Sequence, residues 1–293
     1  WMLQGYTWLC ERTLELPWNT LVTGETRGWQ IGMWYGGIAC TLVLLRTKTR
    51  NKLRDFVYKH TGRFWRKREV VRYTVCTILI SMLLQGAGQA LCVWQQRTEA
   101  ICFLDVGQGD GILIRSPDGR NIVIDGGSTS QSKCGTYTLL PALRSQGMTE
   151  IDCWFVTHTD EDHISGLKEL LLQGKLTQIK VRTVVFSAYV FQDAALAELE
   201  AVIRAAGITI VWMREGDVIG DDTFTLTCLH PTAEYRAKDK NAASLALAYH
   251  SDTFDMLFTG DMDADAVADM DIQQDYDCIK LPHHGSKYSY VEG

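Results

Sequence analysis

A membrane-embedded helical hairpin followed by an α/β sandwich of two packed sheets is the architecture this sequence predicts. Three observations carry it. The charge is divided: residues 1–99 hold 14 Lys and Arg against 6 Asp and Glu, and residues 100–293 hold the remaining 15 against 29. The halves are therefore +8 and -14, which sum to the overall -6 and suggest two environments for one chain. Two long uncharged apolar runs bracket a basic segment within residues 1–98. From residue 100 onward, short β-branched runs alternate with amphipathic helical ones.

In the first part, residues 1–98, no formal charge falls between Arg27 and Arg46 or between Arg72 and Arg97. A spanning helix needs about 20 mostly apolar residues, so spans are expected at about 29–45 and 73–94. The first run is short and suits a buried helix too. Trp29, Trp34, Tyr73 and Trp94 stand near the run ends, where amphipathic rings favour the membrane interface. The loop 46–72 carries 11 Lys and Arg and two acids, which marks it as cytoplasmic. Its position between apolar runs argues against a nucleic-acid-binding tail. Both ends of the hairpin then face outward, and residues 99–293 form an extracytoplasmic domain. Residues 1–16 have helical spacing up to Pro17, as an interfacial helix or the tail of an earlier span. The chain begins at Trp1 and ends just after a motif, and it reads as a fragment.

In the acidic part, "AICFLDV", "GILIRS" and "NIVID" are strand-like runs separated by turn residues, a meander of hairpins. "TYTLLPALRSQG" reads as a helix ending at Gly147, "IDCWFVT" as a strand, and "ISGLKELLLQG" as an amphipathic helix. "VRTVVF" follows as a strand, then a helix from the capping residue Asp193 to Gly207. "ITIVW", "TFTLTCLH", "SLALAYH", "DMLFTG" and "DCIKLP" complete the strands. Hairpins followed by mixed strands and helices predict two sheets covered by helices. "GQGDG" at 107–111 reads as a hairpin turn, because no helix follows it as a phosphate cradle requires. The nine cysteines include no C-x-x-C pair, which excludes a zinc ribbon and leaves them as small buried apolar residues.

Chemistry concentrates in "THTDEDHISG", where two histidines and three acids follow an apolar strand. If the segment is extended, side chains alternate. His158 then pairs with Asp160, and Asp162 with His163 at the start of the next helix. One metal ion per pair gives a two-metal arrangement. Asp261 ends "LFTGD", and His283 and His284 stand in "LPHHGS" after another strand. Four of the seven histidines lie in these two motifs, a density that packing does not explain. His60 and His250 have no such neighbours.

"H-x-D-x-D-H" with "SGL", then "TGD", then "HHGS", resembles the metallo-β-lactamase superfamily. The strings "FLDVGQGDGILI", "VIDGG", "THTDEDHISGL", "NAASLAL", "LFTGD" and "LPHHGS" are similar, in this order, to the soluble domain of the ComEC family of competence DNA-uptake proteins. The resemblance covers residues 100–293, and the hairpin before them fits the family's multi-span channel domain. It implies an αβ/βα sandwich, C-terminally incomplete here, and two divalent ions, Mn2+ or Zn2+. His158 and Asp160 would hold the first ion. Asp162, His163 and His284 would hold the second, and Asp261 would bridge. Asp160 replaces a histidine common in the superfamily, which moves preference toward manganese without excluding zinc. Asn241 stands where many members carry another histidine and is at best a weak ligand. His230 in "LHP" is an alternative, although a histidine before proline is usually structural. Asp125 would fix a ligand histidine.

The implied chemistry is hydrolysis of an ester or phosphodiester by water acidified between the ions. Asp162 or Asp261 would orient that water, and His283 would donate to a phosphoryl oxygen or leaving group. Ser286 and Lys287 would touch the same phosphate. The leading expectation is a nuclease at the bacterial plasma membrane that acts on DNA with other uptake components. A net -14 repels a polyanion unless metal ions offset it. A cell-envelope phosphodiesterase and a non-catalytic scaffold of the channel are the alternatives.

Overall fold

The computed structural model describes residues 98–289 except 271 and 273, and only shorter stretches before residue 98, the longest being 28–46. The chain divides into two units, Trp1–Gln96 and Arg97–Gly293.

In the first unit, α1 (Gly28–Leu45) coincides with the first expected span. At 1.5 Å per residue its 18 residues reach about 27 Å, against about 30 Å of bilayer hydrocarbon. Among the described residues no helix is long and apolar enough to cross a membrane. The expected hairpin is thus not seen there. Most of its loop, 46–72, and of its second helix, 73–94, lies outside the described residues.

The second unit is a two-sheet sandwich. The first sheet runs in the order β1 (Ala100–Phe103), β2 (Gly111–Arg115), β3 (Asn121–Asp125), β4 (Glu150–Phe155), β5 (Lys180–Ser187), β6 (Thr209–Met213). The expected meander forms its antiparallel half, and β3 to β6 are parallel. The second sheet has the order β11 (Cys278–Lys280), β10 (Asp255–Phe258), β9 (Ala246–Ser251), β8 (Phe224–His230), β7 (Val218–Gly220). It is antiparallel except for the β10–β11 pair.

Strands buried on both faces read as continuous apolar runs. In β2, Ile112 and Ile114 face the second sheet and pack with Phe224, Leu226, Leu247, Tyr249 and Phe258. Leu113 faces the other way and packs with Val123, Trp154 and Leu139 beneath the helices. Burying each such side chain contributes about 1.5–3 kcal/mol. The covering helices are α2 (Leu140–Ser145), α3 (Glu161–Gln173) and α4 (Ala194–Ala205). A π-helical turn, Gly135–Leu139, precedes α2. Asp193 caps α4 as expected, its Oδ1 accepting from the Leu196 N–H at 2.8 Å. Two elements escaped the sequence reading, the edge strand β7 and the short helix α5 (Ala264–Asp269), which packs Ala266 against Ala246 and Met262.

Two expectations change. Helix α3 begins at Glu161, not after His163, because Asp160 is the extended N-cap residue whose carbonyl accepts from the His163 and Ile164 N–H groups. Glu161 and Asp162 then sit in the first turn, where negative charge suits the helix dipole. The cysteines are not uniformly buried: Cys134 and Cys228 are, but Cys76 and Cys278 are exposed. Cys278 lies on the edge strand β11, which has a neighbour on one side alone. Burial pushes the Cys228 thiol up to about 12.

Candidate metal centre

The site residues gather at the carboxyl ends of β3, β4, β10 and β11 and in the turn between β1 and β2. β3 ends on Asp125 with φ 56, and the turn after β11 holds His283 and His284 at φ 47 and φ 54. Non-glycine residues in this region cost about 1–3 kcal/mol each and cluster at functional sites.

Buried Asp125 organises the middle of the site. Its Oδ1 accepts from the Thr157 N–H at 2.8 Å and its Oδ2 from the Thr157 hydroxyl at 2.7 Å. His163 Nδ1 donates to the same Oδ2 at 2.9 Å. This fixes the ring and turns His163 Nε2 toward Asp261 Oδ2, 3.3 Å away. The ring of His158 lies 4.0 Å from that of His163, centroid to centroid. Both histidines are almost fully buried, and neither Nε2 has a hydrogen-bond partner. Buried polar nitrogens without partners are costly unless something else binds them.

Four residues offer ligand atoms that all lie within 4.8 Å of one another: Asp110, His163, Asp261 and His284. His284 Nε2 is 3.4 Å from Asp261 Oδ2, and its Nδ1 is 3.5 Å from Asp110 Oδ1. Ligand bonds of about 2.1 Å in tetrahedral array have edges near 3.4 Å. The spacing and the mixed imidazole–carboxylate donors therefore fit a divalent ion such as zinc or manganese.

The electrostatics follow from crowding. Burial disfavours charge on Asp261, but His163, His284 and Lys280 outweigh it and hold the carboxyl far below the usual range. Burial likewise opposes charge on His163, yet Asp125 and Asp261 raise it to about 10. Asp110 and then Asp261 raise His284 to about 9. His158 moves the other way, depressed by burial and by its neighbour His163.

Of the residues singled out from the sequence, the structure brings together Asp125, His158, Asp160, His163, Asp261 and His284. His158 Nε2 faces Asp160 Oδ2 at 3.6 Å. Asp162, being helical, does not pair with His163 as alternation suggested; its carboxylate is 3.9 Å from His284 Nε2. His283 donates its backbone N–H to the Gly260 carbonyl, and its ring meets that of His284 edge-on at 6.2 Å. Ser286 Oγ accepts from the Tyr288 N–H, and Lys287 lies over the Tyr288 ring, so both engage their own turn. Asn241 contributes its carbonyl to the Ser244 N–H in the turn before β9. His230 donates its Nδ1–H to the Ser244 carbonyl and packs edge-on against Tyr235, which is the structural role.

Three residues were missed. Asp110 ends the glycine-rich turn, which is indeed a hairpin connection, and places its carboxylate in the cluster. Gly109 at φ 147 allows this: a Cβ there would lie 2.4 Å from the Gly127 carbonyl oxygen. Lys280, nearly buried, pairs with Asp110 and with Asp261 Oδ1 at 3.3 Å. Lys240 reaches Asp160 Oδ1 at 2.6 Å and Asp193 at 3.2 Å. The acid in "GQGDG" was the one signal available.

Residues 104–233 match the Metallo-beta-lactamase superfamily, so the second unit carries a domain of that class. Over 206 residues the chain is 31% identical to ComE operon protein 3 of Bacillus subtilis (strain 168), across 65% of this chain and 26% of that protein. It is thus a relative of the ComEC proteins that its motifs resemble. The chain spans about a quarter of that relative's length. Among solved structures, the metallo-beta-lactamase fold protein YhfI from Bacillus subtilis is similar at 18% identity and TM-score 0.34, covering 52% of this chain and 55% of its own. Zn(2+)-bound PqqB from Methylobacterium extorquens is similar at 11% identity and TM-score 0.34, covering 53% of each chain.

Proposed function

We propose that this chain is part of a membrane-anchored, metal-dependent phosphodiesterase that cleaves DNA during competence uptake, with its hydrolase domain outside the cytoplasmic membrane. The observation that carries the reading is the convergence of Asp110, His163, Asp261 and His284 at ligand spacing in a unit whose residues 104–233 match the metallo-β-lactamase superfamily. The relationship to a ComE operon protein supports the uptake context, with DNA, the membrane and other uptake components as partners.

Bound manganese or zinc would polarise a phosphoryl oxygen and acidify water. The chain's own groups prepare that chemistry. Asp125 fixes the His163 ring, and Lys280 holds one oxygen of Asp261 while the other faces the histidines. Asp162 and His158 line the same space and would orient water or a phosphoryl oxygen. The divalent charge also offsets the domain's repulsion of a polyanion.

The test incubates the purified chain with labelled single- and double-stranded DNA plus manganese or zinc, with a chelator control and an Asp261→Asn variant. Cleavage that needs metal and is lost in the variant is expected. Folded, metal-loaded protein that cleaves neither substrate sinks the DNA reading and turns attention to envelope phosphodiesters. Folded protein that binds no metal leaves a scaffold.

A further inference from the structure

We propose that this centre holds a single divalent ion, on Asp110, His163, Asp261 and His284, and that Lys240 and Lys280 occupy the carboxylate oxygens a second ion would need. The inference deepens the metal-hydrolase reading and rests on it.

The first argument is the division of oxygens. Asp261 Oδ2 faces His163 Nε2 at 3.3 Å and His284 Nε2 at 3.4 Å, while its Oδ1 faces the Lys280 ammonium at 3.3 Å. Asp110 is divided the same way, with Oδ1 toward His284 and Oδ2 on Lys280. Lys280 is anchored from behind by the Gly260 carbonyl at 2.8 Å, and its side chain is 8% exposed. A carboxylate bridging two ions through both oxygens would have to give up this buried ammonium.

The second argument is the poverty of the other pair. His158 and Asp160 face each other, but among the described residues they join no group of three ligands, whereas the four named residues do. The other oxygen of Asp160 already accepts from the Lys240 ammonium at 2.6 Å. Asn241, the neighbour of that lysine, supplies no imidazole. Two donors, one of them neutralised by a lysine, make a weak site.

The experiment measures metal content and affinity of the whole chain with manganese or zinc alone, by elemental analysis after gel filtration and by calorimetry. One ion per chain is expected. Asp110→Asn should weaken binding by about tenfold or more, and Asp160→Asn should change neither stoichiometry nor affinity. Thermal unfolding checks that each variant folds. Should Asp110→Asn fail to fold, Asp160→Asn decides alone, since Asp160 is partly exposed. Two ions in the wild type, falling to one in Asp160→Asn, would overturn the inference and leave the metal-hydrolase reading standing. A folded wild-type chain with no ion would overturn both.

Discussion

Asp125 is the residue on which the centre turns, although it offers no ligand atom to the cluster. It spends both oxygens on Thr157 and His163, and it does so from a left-handed backbone at φ 56. Removing its charge releases the His163 ring while leaving all four ligands in place. Asp125→Asn should therefore weaken metal binding by about 10–100-fold with little change in fold, measured by calorimetry beside far-ultraviolet circular dichroism. Unchanged affinity would show that the first turn of α3 positions His163 by itself. The place of Asp125 was expected from the resemblance of "VIDGG" to the ComEC strings, and its bond to the His163 ring agrees with it. The roles of Asp110 and Lys280 were not. Each sits in a segment with a sufficient local explanation, a turn and a strand end, and its partner is distant in sequence.

At the scale of elements, the site depends on how closely α3 approaches the turn after β3. A Cβ on Gly166 would lie 2.3 Å from the Gly126 carbonyl oxygen and 2.3 Å from Leu139 Cδ1. A Cβ on Gly127 would likewise lie 2.5 Å from the Glu161 carbonyl oxygen, in the first turn of α3. These glycines set the distance between His163 on α3 and Asp125 on β3. Gly166→Ala should destabilise the fold by about 1–3 kcal/mol and shift the metal affinity with it, read by denaturant unfolding of the metal-free and metal-loaded chain. A variant as stable as the wild type would mean that the helix slides freely. The helix was expected, but its start was not. Alternation in "HTDEDH" assumed extended backbone through Asp162, whereas Asp160 caps and the helix takes the rest. A cap and an extended acid look alike in one dimension.

Across the whole molecule, the two sheets meet at the site and are joined beside it. The Leu245 N–H donates to the Thr157 carbonyl at 2.9 Å, and Ser244 Oγ accepts from the Asp261 N–H at 3.2 Å. His230, fully buried at the end of β8, holds the Ser244 carbonyl at 3.1 Å. Burial depresses its pKa and outweighs the hydrogen bond to the Ser244 carbonyl, Asp269 and Asp263, so it is neutral in the folded chain at neutral pH. Its ordinary value is about 6.5, so the unfolded chain takes up the proton first as pH falls. The stability of the neutral imidazole is then complete above about pH 6.5 and is lost below it, toward the lower folded value. His230→Gln should flatten the loss of stability between about pH 7 and pH 5, measured by chemical unfolding of the metal-free chain. Parallel curves would assign the acid sensitivity elsewhere, first to His158, which is depressed by the same cause.

The sequence by itself determined the two-sheet sandwich and pointed to most of the residues that gather at the centre. Those are written in local patterns: the period of apolar residues, and histidines and acids placed after apolar strands. Only the tertiary structure decided that Asp110 joins the ligands, that Asp162 belongs to a helix, and that two lysines stand against the acids. Those facts arise where elements far apart in sequence meet, and a lysine at the end of a strand carries no local mark of the carboxylate it will neutralise.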